Sequence, residues 1–347
     1  ILYRTNAQSR VFEETFRKES LPYRIYGGLS FYQRKEIKDI IAYFRLVANP
    51  DDEEAFRRIL NYPARGIGST TLQKIQNSAA AFAVSLWEVI SHPQQYQLDV
   101  NKGTLTKIDA FRQLISGYIE KVADTDAFEL GQTIVKESGV SADIYSSTEP
   151  DAVARQENLQ EFMSGMQDFV ETRREEGREQ ECYLTDFLQE VSLLTDLDSD
   201  DNETSRVTLM TIHAAKGLEF PTVFIVGLEE NLFPSPLSVN SMRELEEERR
   251  LFYVAITRAE KHCILTNAKS RFRYGKMEFG TPSRFLQDID PRLMLIEDES
   301  TGVKKPWESS FHGSTPYPSA HILEIFYIKA LWNASTISGI ILRILIQ

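Results

Sequence analysis

Apolar and polar positions alternate with three different rhythms along this chain of 347 residues. Residues 1–3 read as the end of a strand, and Thr5 or Asn6 then offers an N-cap to a helix carrying Val11, Phe12 and Phe16 on one side. Residues 23–26 form a second predicted strand. After Gly27-Gly28, the residues Ile37, Ile40, Ile41, Phe44 and Val47 recur at helical spacing with charges on the other face, and Asn49-Pro50 ends that helix.

From there to about residue 205 the rhythm is helical throughout, as in the amphipathic stretches 105–122 and 158–174, and no strand is predicted. This middle portion closes on Asp196-Leu-Asp-Ser-Asp-Asp-Asn-Glu203, a like-charged run typical of a solvated linker. Strand character returns at 207–212, 222–226 and 263–265, with a helix over 242–257 before the last. Strands alternating with helices predict a mostly parallel sheet. The expected arrangement is one α/β domain built from 1–52 and 206–290, interrupted by an all-helical insertion over 53–205, with 291–347 an unassigned tail. In that tail the apolar run 322–346 is interrupted by Lys329, Asn333 and Arg343, leaves no uninterrupted membrane span, and reads as a poorly specified helix.

Charge changes this picture only locally. The formal net charge of -12 argues at first against a nucleic-acid partner. Residues 51–205 alone carry -17, however, and the outer portions together carry +5, which leaves room for a basic track there. Cys182 and Cys263 lie too far apart in sequence for a metal or redox spacing and point to inert thiols in a reducing compartment. The chain opens at Ile1 within a strand, without a signal-like pattern, and reads as a fragment.

Several short segments carry candidate chemistry. In Thr211-Ile-His-Ala-Ala-Lys-Gly-Leu-Glu219, small residues and Gly217 follow a strand at its carboxyl end, where open α/β sheets bind ligands. Tyr253-Val-Ala-Ile-Thr-Arg-Ala-Glu260 places Arg258 at a helix C-terminus, suited either to the helix dipole or to an anionic ligand. Tyr3-Arg4 at a strand end could be a stacking ring beside a phosphate contact, or a core tyrosine beside a surface arginine. Pro63-Ala-Arg-Gly-Ile-Gly-Ser-Thr-Thr71 sets two glycines before a helix start, either a plain turn or a loop offering backbone N–H groups to phosphate. Lys269-Ser-Arg-Phe-Arg-Tyr-Gly-Lys276 interleaves rings and cations around a turn, either a stacking platform or a solvated basic hairpin.

Taken together and in order, these segments resemble the motifs of the UvrD/PcrA/Rep helicases, superfamily I enzymes that separate DNA strands using ATP. Residues 2–10 resemble the fourth motif, 211–219 the fifth and 253–260 the sixth, and Gly27-Gly-Leu-Ser-Phe-Tyr-Gln-Arg-Lys-Glu-Ile-Lys-Asp39 matches the run after the fourth. The resemblance implies a RecA-like lobe of the P-loop-NTPase type, interrupted by an all-α domain. It implies that Tyr3 stacks on adenine, Glu219 bonds the ribose, and Arg4 and Arg258 meet the γ-phosphate. It further implies that Thr211, His213 and Lys216 face single-stranded DNA, that Arg65, Gly66, Ile67 and Gly68 hold duplex DNA, and that Tyr274 is a pin at the strand junction.

No G-x-x-x-x-G-K-[ST] run and no acidic Walker B segment occurs in the chain. The resemblance therefore implies that ATP and Mg²⁺ are held mainly by an N-terminal lobe lying outside these residues, and that the chain by itself does not hydrolyse ATP. The expected partners are single-stranded DNA, a duplex junction and that missing lobe, without a membrane, in a bacterial-type cytoplasm. Two other readings stay open: the motor portion of a RecB/AddA-like helicase-nuclease, and a DNA-binding remnant without catalysis.

Overall fold

The computed structural model describes residues 1–195, 205–273, 276–298 and 339–345. The chain begins with strand β1 (Leu2–Tyr3), helix α1 (Ser9–Lys18) and strand β2 (Tyr23–Ile25). A helical series follows: α2 (Lys35–Ala48), α3 (Glu53–Ile59), α4 (Ser69–Phe82), α5 (Leu86–Ser91), α6 (Lys102–Ile119), α7 (Ala127–Glu137), α8 (Val140–Ser146), α9 (Ala152–Glu175) and α10 (Leu184–Thr195). Then come β3 (Val207–Thr211), β4 (Phe220–Ile225), helix α11 (Met242–Ile256), β5 (Ala259–Ala268), β6 (Ser270–Arg273), β7 (Lys276–Phe279), β8 (Met294–Asp298) and β9 (Gly339–Leu345).

The elements divide into two units, residues 1–29 with those from 203 onward, and residues 30–202. In the first unit the main sheet has the order β2-β3-β1-β4-β5-β9-β8. Its first five strands are parallel, as the alternation of strands and helices requires, and β9 runs antiparallel to both β5 and β8. Because side chains alternate across a strand, the sheet buries two faces. Leu2, Met210, Val223, Ile225 and Leu265 pack with Leu245, Phe252 and Ala255 of α11, whereas Tyr3, Leu209 and Val226 pack with Phe16 of α1.

The tail departs from expectation. Residues 339–345, which fall in the run read as a helix, form β9 and pair along β5 from His262↔Leu345 to Ala268↔Gly339. Three isoleucines among seven residues favour the extended form, since β-branching restricts χ1 in a helix. The sheet edge at β5 also offers unpaired backbone groups that a helix could not satisfy. The like-charged run 196–203 and residues 299–338 lie outside the described residues.

The second unit is all helical. The predicted apolar stripe of α2 is its spine: Ile37, Ile40, Phe44 and Val47 are buried among Phe56, Ile108, Phe111, Leu130 and Phe162. Each such side chain contributes roughly 1.5–3 kcal/mol on burial. The sequence grouped α2 with the strands before it, whereas its packing assigns it to the helical unit, so the division falls after Leu29. Periodicity shows that α2 has an apolar face; only packing shows which core receives it. Burial pushes the Cys263 thiol up to about 12 and raises that of Cys182, consistent with inert thiols. Among the described residues no helix is long and apolar enough to cross a membrane.

Candidate functional site

Strand register gathers the first group of expected residues. Leu2 pairs with Met210 and with Ile225, and Tyr3 with Thr211, so the segments leaving β1 and β3 emerge side by side at the carboxyl edge of the sheet. Arg4 leaves β1 towards α11, where its guanidinium makes a forked pair with Glu248: Nε lies 3.1 and 3.0 Å from the two carboxylate oxygens, and an Nη lies 2.6 Å from one. Glu248 is 5% exposed and also accepts from the Ser235 amide at 3.3 Å. The Arg4 and Thr5 amides both donate to the Gln8 side-chain oxygen, each at 2.9 Å, which fixes the turn.

Tyr3 does not join this group. It is 1% exposed and packed with Phe16, Leu209 and Val226 on the α1 side. Tyr3, so buried, presents no open ring face for the adenine stacking expected of it.

His213 lies just beyond β3 and within the field of Arg4 and Glu248. Partial burial lowers its pKa below the ordinary imidazole value; Arg4 adds to the shift and Glu248 opposes it. With the folded-state value depressed, the unfolded chain takes up this proton first as pH falls, so the contribution of His213 to stability is present above its ordinary value and lost below it. Denaturation midpoints followed from about pH 7 to 5 should fall more steeply for the wild-type chain than for His213→Asn. Equal slopes would show that His213 titrates as a free side chain.

At the opposite edge, where β4 and β5 begin with Phe220 paired to Ala259, lie Glu219 and Arg258. Glu219, Lys216 and Gly217 are exposed. The Arg258 guanidinium is held by neutral oxygens, the carbonyls of Val254 at 3.0 Å and Leu218 at 2.8 Å and the Thr257 hydroxyl at 3.0 Å. Among the described residues no carboxylate bonds it. Arg258 is thus oriented while its charge stays uncompensated, whereas the charge of Arg4 is matched by Glu248. The two arginines leave opposite ends of the parallel strands, Arg4 just beyond the carboxyl end of β1, level with the end of β4, and Arg258 just before the start of β5, level with the start of β4.

In the helical unit the Gly66–Gly68 loop is shaped from within. The Asn61 side-chain oxygen accepts from the Arg65 amide at 2.9 Å and the Ile67 amide at 3.0 Å. Gly66 takes a φ of +68°, and Ile67 is 2% exposed, so the loop is pinned while its glycines face outward. Gly68 is the N-cap of α4 and supplies no side chain, and the first turn of α4 carries no acidic residue. Apart from the Thr71 amide, which donates to the Gly68 carbonyl at 3.0 Å, first-turn N–H groups have no acceptor within the helix, so this end favours an anion. Lys107 of α6 donates to the Gly66 carbonyl at 3.2 Å and places a cation beside the loop.

Arg65 turns the other way. Its guanidinium donates to the carbonyls of Ile59 at 3.0 Å, Tyr62 at 2.8 Å, Pro63 at 3.3 Å and Ser138 at 3.3 Å, and to the Tyr43 hydroxyl. It also lies 5.2 Å from the Phe111 ring centroid. The direct DNA contact expected of Arg65 is corrected to an internal one, since these acceptors take up its donors. Asn61, Lys107 and Glu248 were not singled out from sequence; their partners lie across turns or on other helices, beyond the reach of any local pattern.

β6 and β7 pair from Ser270↔Phe279 to Arg273↔Lys276, forming the two arms of the basic hairpin. The candidate pin Tyr274 lies outside the described residues. Among the described residues no group of three or more His, Cys, Asp or Glu side chains is placed to hold a metal ion.

A parallel sheet with a glycine-bearing crossover, an oriented arginine beside it and an inserted helical unit define the class. The model of the UvrD-like helicase C-terminal domain matches residues 1–270, and the chain belongs to that family. Among its relatives is the ATP-dependent DNA helicase PcrA of Bacillus subtilis (strain 168), 43% identical over 300 residues that cover 85% of this chain and 40% of the relative. The PcrA of Leuconostoc citreum is 42% identical over 321 residues, covering 91% and 43%, and that of Staphylococcus aureus (strain COL) is 40% identical over 307 residues, covering 88% and 41%. The chain thus spans about two fifths of the length of the curated relatives it matches.

Proposed function

We propose that this chain supplies the second ATPase lobe and the inserted helical unit of a PcrA-like, ATP-dependent helicase that moves 3'-to-5' on single-stranded DNA and opens duplex. The observation that carries this reading is Arg258, a guanidinium oriented by three neutral oxygens with its charge left for an anion. A P-loop lobe outside these residues would hold ATP and Mg²⁺, whose charge offsets that of the phosphates.

In this reading Arg258 donates to the γ-phosphate and Glu219, exposed beside it, accepts from the ribose. Arg4 reaches phosphate only by giving up part of its bond with Glu248. Thr211, His213 and Lys216 contact single-stranded DNA, with His213 neutral at physiological pH because its pKa is lowered. Gly66, Gly68 and the N-terminus of α4 bind duplex phosphates without reading bases, with Lys107 as the adjoining cation. Such a substrate places the protein in the cytoplasm.

The test is DNA-stimulated ATP hydrolysis and unwinding of a 3'-tailed duplex by this chain joined to its P-loop lobe. Activity of the joined protein and none of the chain alone is expected. Hydrolysis by the chain alone would overturn the division of labour, and DNA binding by the joined protein without hydrolysis would favour a non-catalytic remnant. Lys107→Ala should weaken duplex binding without sequence preference and lower the salt slope by about 1; an unchanged slope, measured by anisotropy titration, would remove Lys107 from the interface.

A further inference from the structure

A two-stranded hairpin is marginal by itself, and β6–β7 forms a sheet of its own, so its direction depends on what grips its base. That grip is a buried carboxylate. Glu229, 3% exposed, follows β4 and accepts from the Ala268 amide at 2.7 Å, where β5 gives way to the hairpin. The same carboxylate takes a forked pair from Arg271 of β6, at 2.7 Å from Nε and 2.8 Å from an Nη. The returning arm is pressed against the same place: the Gly280 amide donates to the Lys269 carbonyl at 2.8 Å, and a Cβ at Gly280 would stand 2.7 Å from the Ala268 carbonyl oxygen.

The segment holding Glu229 also touches the turn that bears Arg4. A Cβ at Gly227 would lie 2.5 Å from the Gln8 side-chain nitrogen, so these two residues are in contact, and the oxygen of the same Gln8 amide binds the Arg4 and Thr5 amides. We propose that Glu229, through Arg271, is the positioning residue that sets the direction of the β6–β7 hairpin relative to the loop bearing Arg4, and that strand separation depends on this grip more than ATP hydrolysis does. The second half of this statement rests on the helicase reading above; the first does not.

Two measurements test it. In the 347-residue chain, Glu229→Gln keeps an acceptor for Ala268 and removes the charge that holds Arg271; Arg271→Gln removes the other partner. Either change should speed hydrogen exchange of the amides of residues 270–273 and 276–279 about tenfold or more while β3 and β4 stay protected. Unchanged hairpin exchange in both variants would overturn the grip. If Glu229→Gln also exposes β3 and β4, the carboxylate supports the lobe as a whole and Arg271→Gln decides.

In the chain joined to its P-loop lobe, the same variants should lose about tenfold in unwinding yet keep single-strand-stimulated hydrolysis within about twofold, and Arg271→Lys should recover part of the loss. Equal loss of both activities would make Glu229 merely structural and overturn the positioning role. A wild-type protein without either activity would refute the helicase reading and leave the exchange experiment to decide the grip.

Discussion

Arg258→Ala, in this chain joined to its P-loop lobe, is expected to lower DNA-stimulated ATP hydrolysis by about 10³-fold or more, the effect of losing an arginine finger. Affinity for single-stranded DNA should stay within about threefold, because the lost charge sits at the sheet edge opposite Thr211 and His213. The expectation rests on what holds the guanidinium. Carbonyl and hydroxyl oxygens of Val254, Leu218 and Thr257 fix its direction but leave its charge uncompensated. A helix-capping arginine would show the reverse pattern, with a modest loss of stability and hydrolysis nearly intact. Steady-state hydrolysis with saturating DNA, beside an anisotropy titration of the same preparation, separates the two. Arg258→Lys should recover little, since an ammonium cannot keep the forked contacts that aim the guanidinium.

Arg65→Ala should destabilise the helical unit by about 3 kcal/mol, because it strips donors from the carbonyls of Ile59, Tyr62, Pro63 and Ser138 and from the Tyr43 hydroxyl at once. For a unit of this size the midpoint of the helical signal should fall by roughly 10 °C. Arg65→Lys should also be unstable, for one ammonium cannot serve acceptors spread around a planar fork. The opposite result, an unchanged midpoint with duplex affinity lowered and the salt slope reduced by about 1, would return Arg65 to the DNA interface. Thermal unfolding of the whole chain, followed in the far ultraviolet, provides the measurement.

These two arginines show where sequence reading stops. Both sit in segments that resemble helicase motifs, and in both the residue type suits phosphate. Arg258 keeps its charge open, whereas Arg65 spends its donors on the loop it belongs to. Nothing in Pro63-Ala-Arg-Gly-Ile-Gly marks this, since one of its acceptors, Ser138, lies 73 residues away. Arg4 makes the same point, with its partner Glu248 separated from it by 244 residues.

Other departures have equally particular causes. Tyr3 and Arg4 look like a tandem in sequence, but β1 ends at Tyr3, whose ring packs on the α1 side, while Arg4 lies beyond the strand and turns to Glu248. The strand predicted over 263–265 extends over Ala259–Ala268, because its first residues are exposed and polar and lack an apolar signature. The last residues of β5 are buried throughout, Thr266 and Asn267 included, where alternation cannot be seen.

The sequence by itself determined the α/β class, the helical insertion, the family and the segments where chemistry is expected. Those features live in local periodicity and in short runs of residue types, which survive without knowledge of distant contacts. Only the tertiary structure decided which core receives α2, that residues 339–345 form a strand, that Tyr3 and Arg65 face inward, and that Glu229 grips the hairpin through Arg271. Each of these is settled by which groups meet after folding, because a buried charge or backbone group must find its partner wherever the chain brings one.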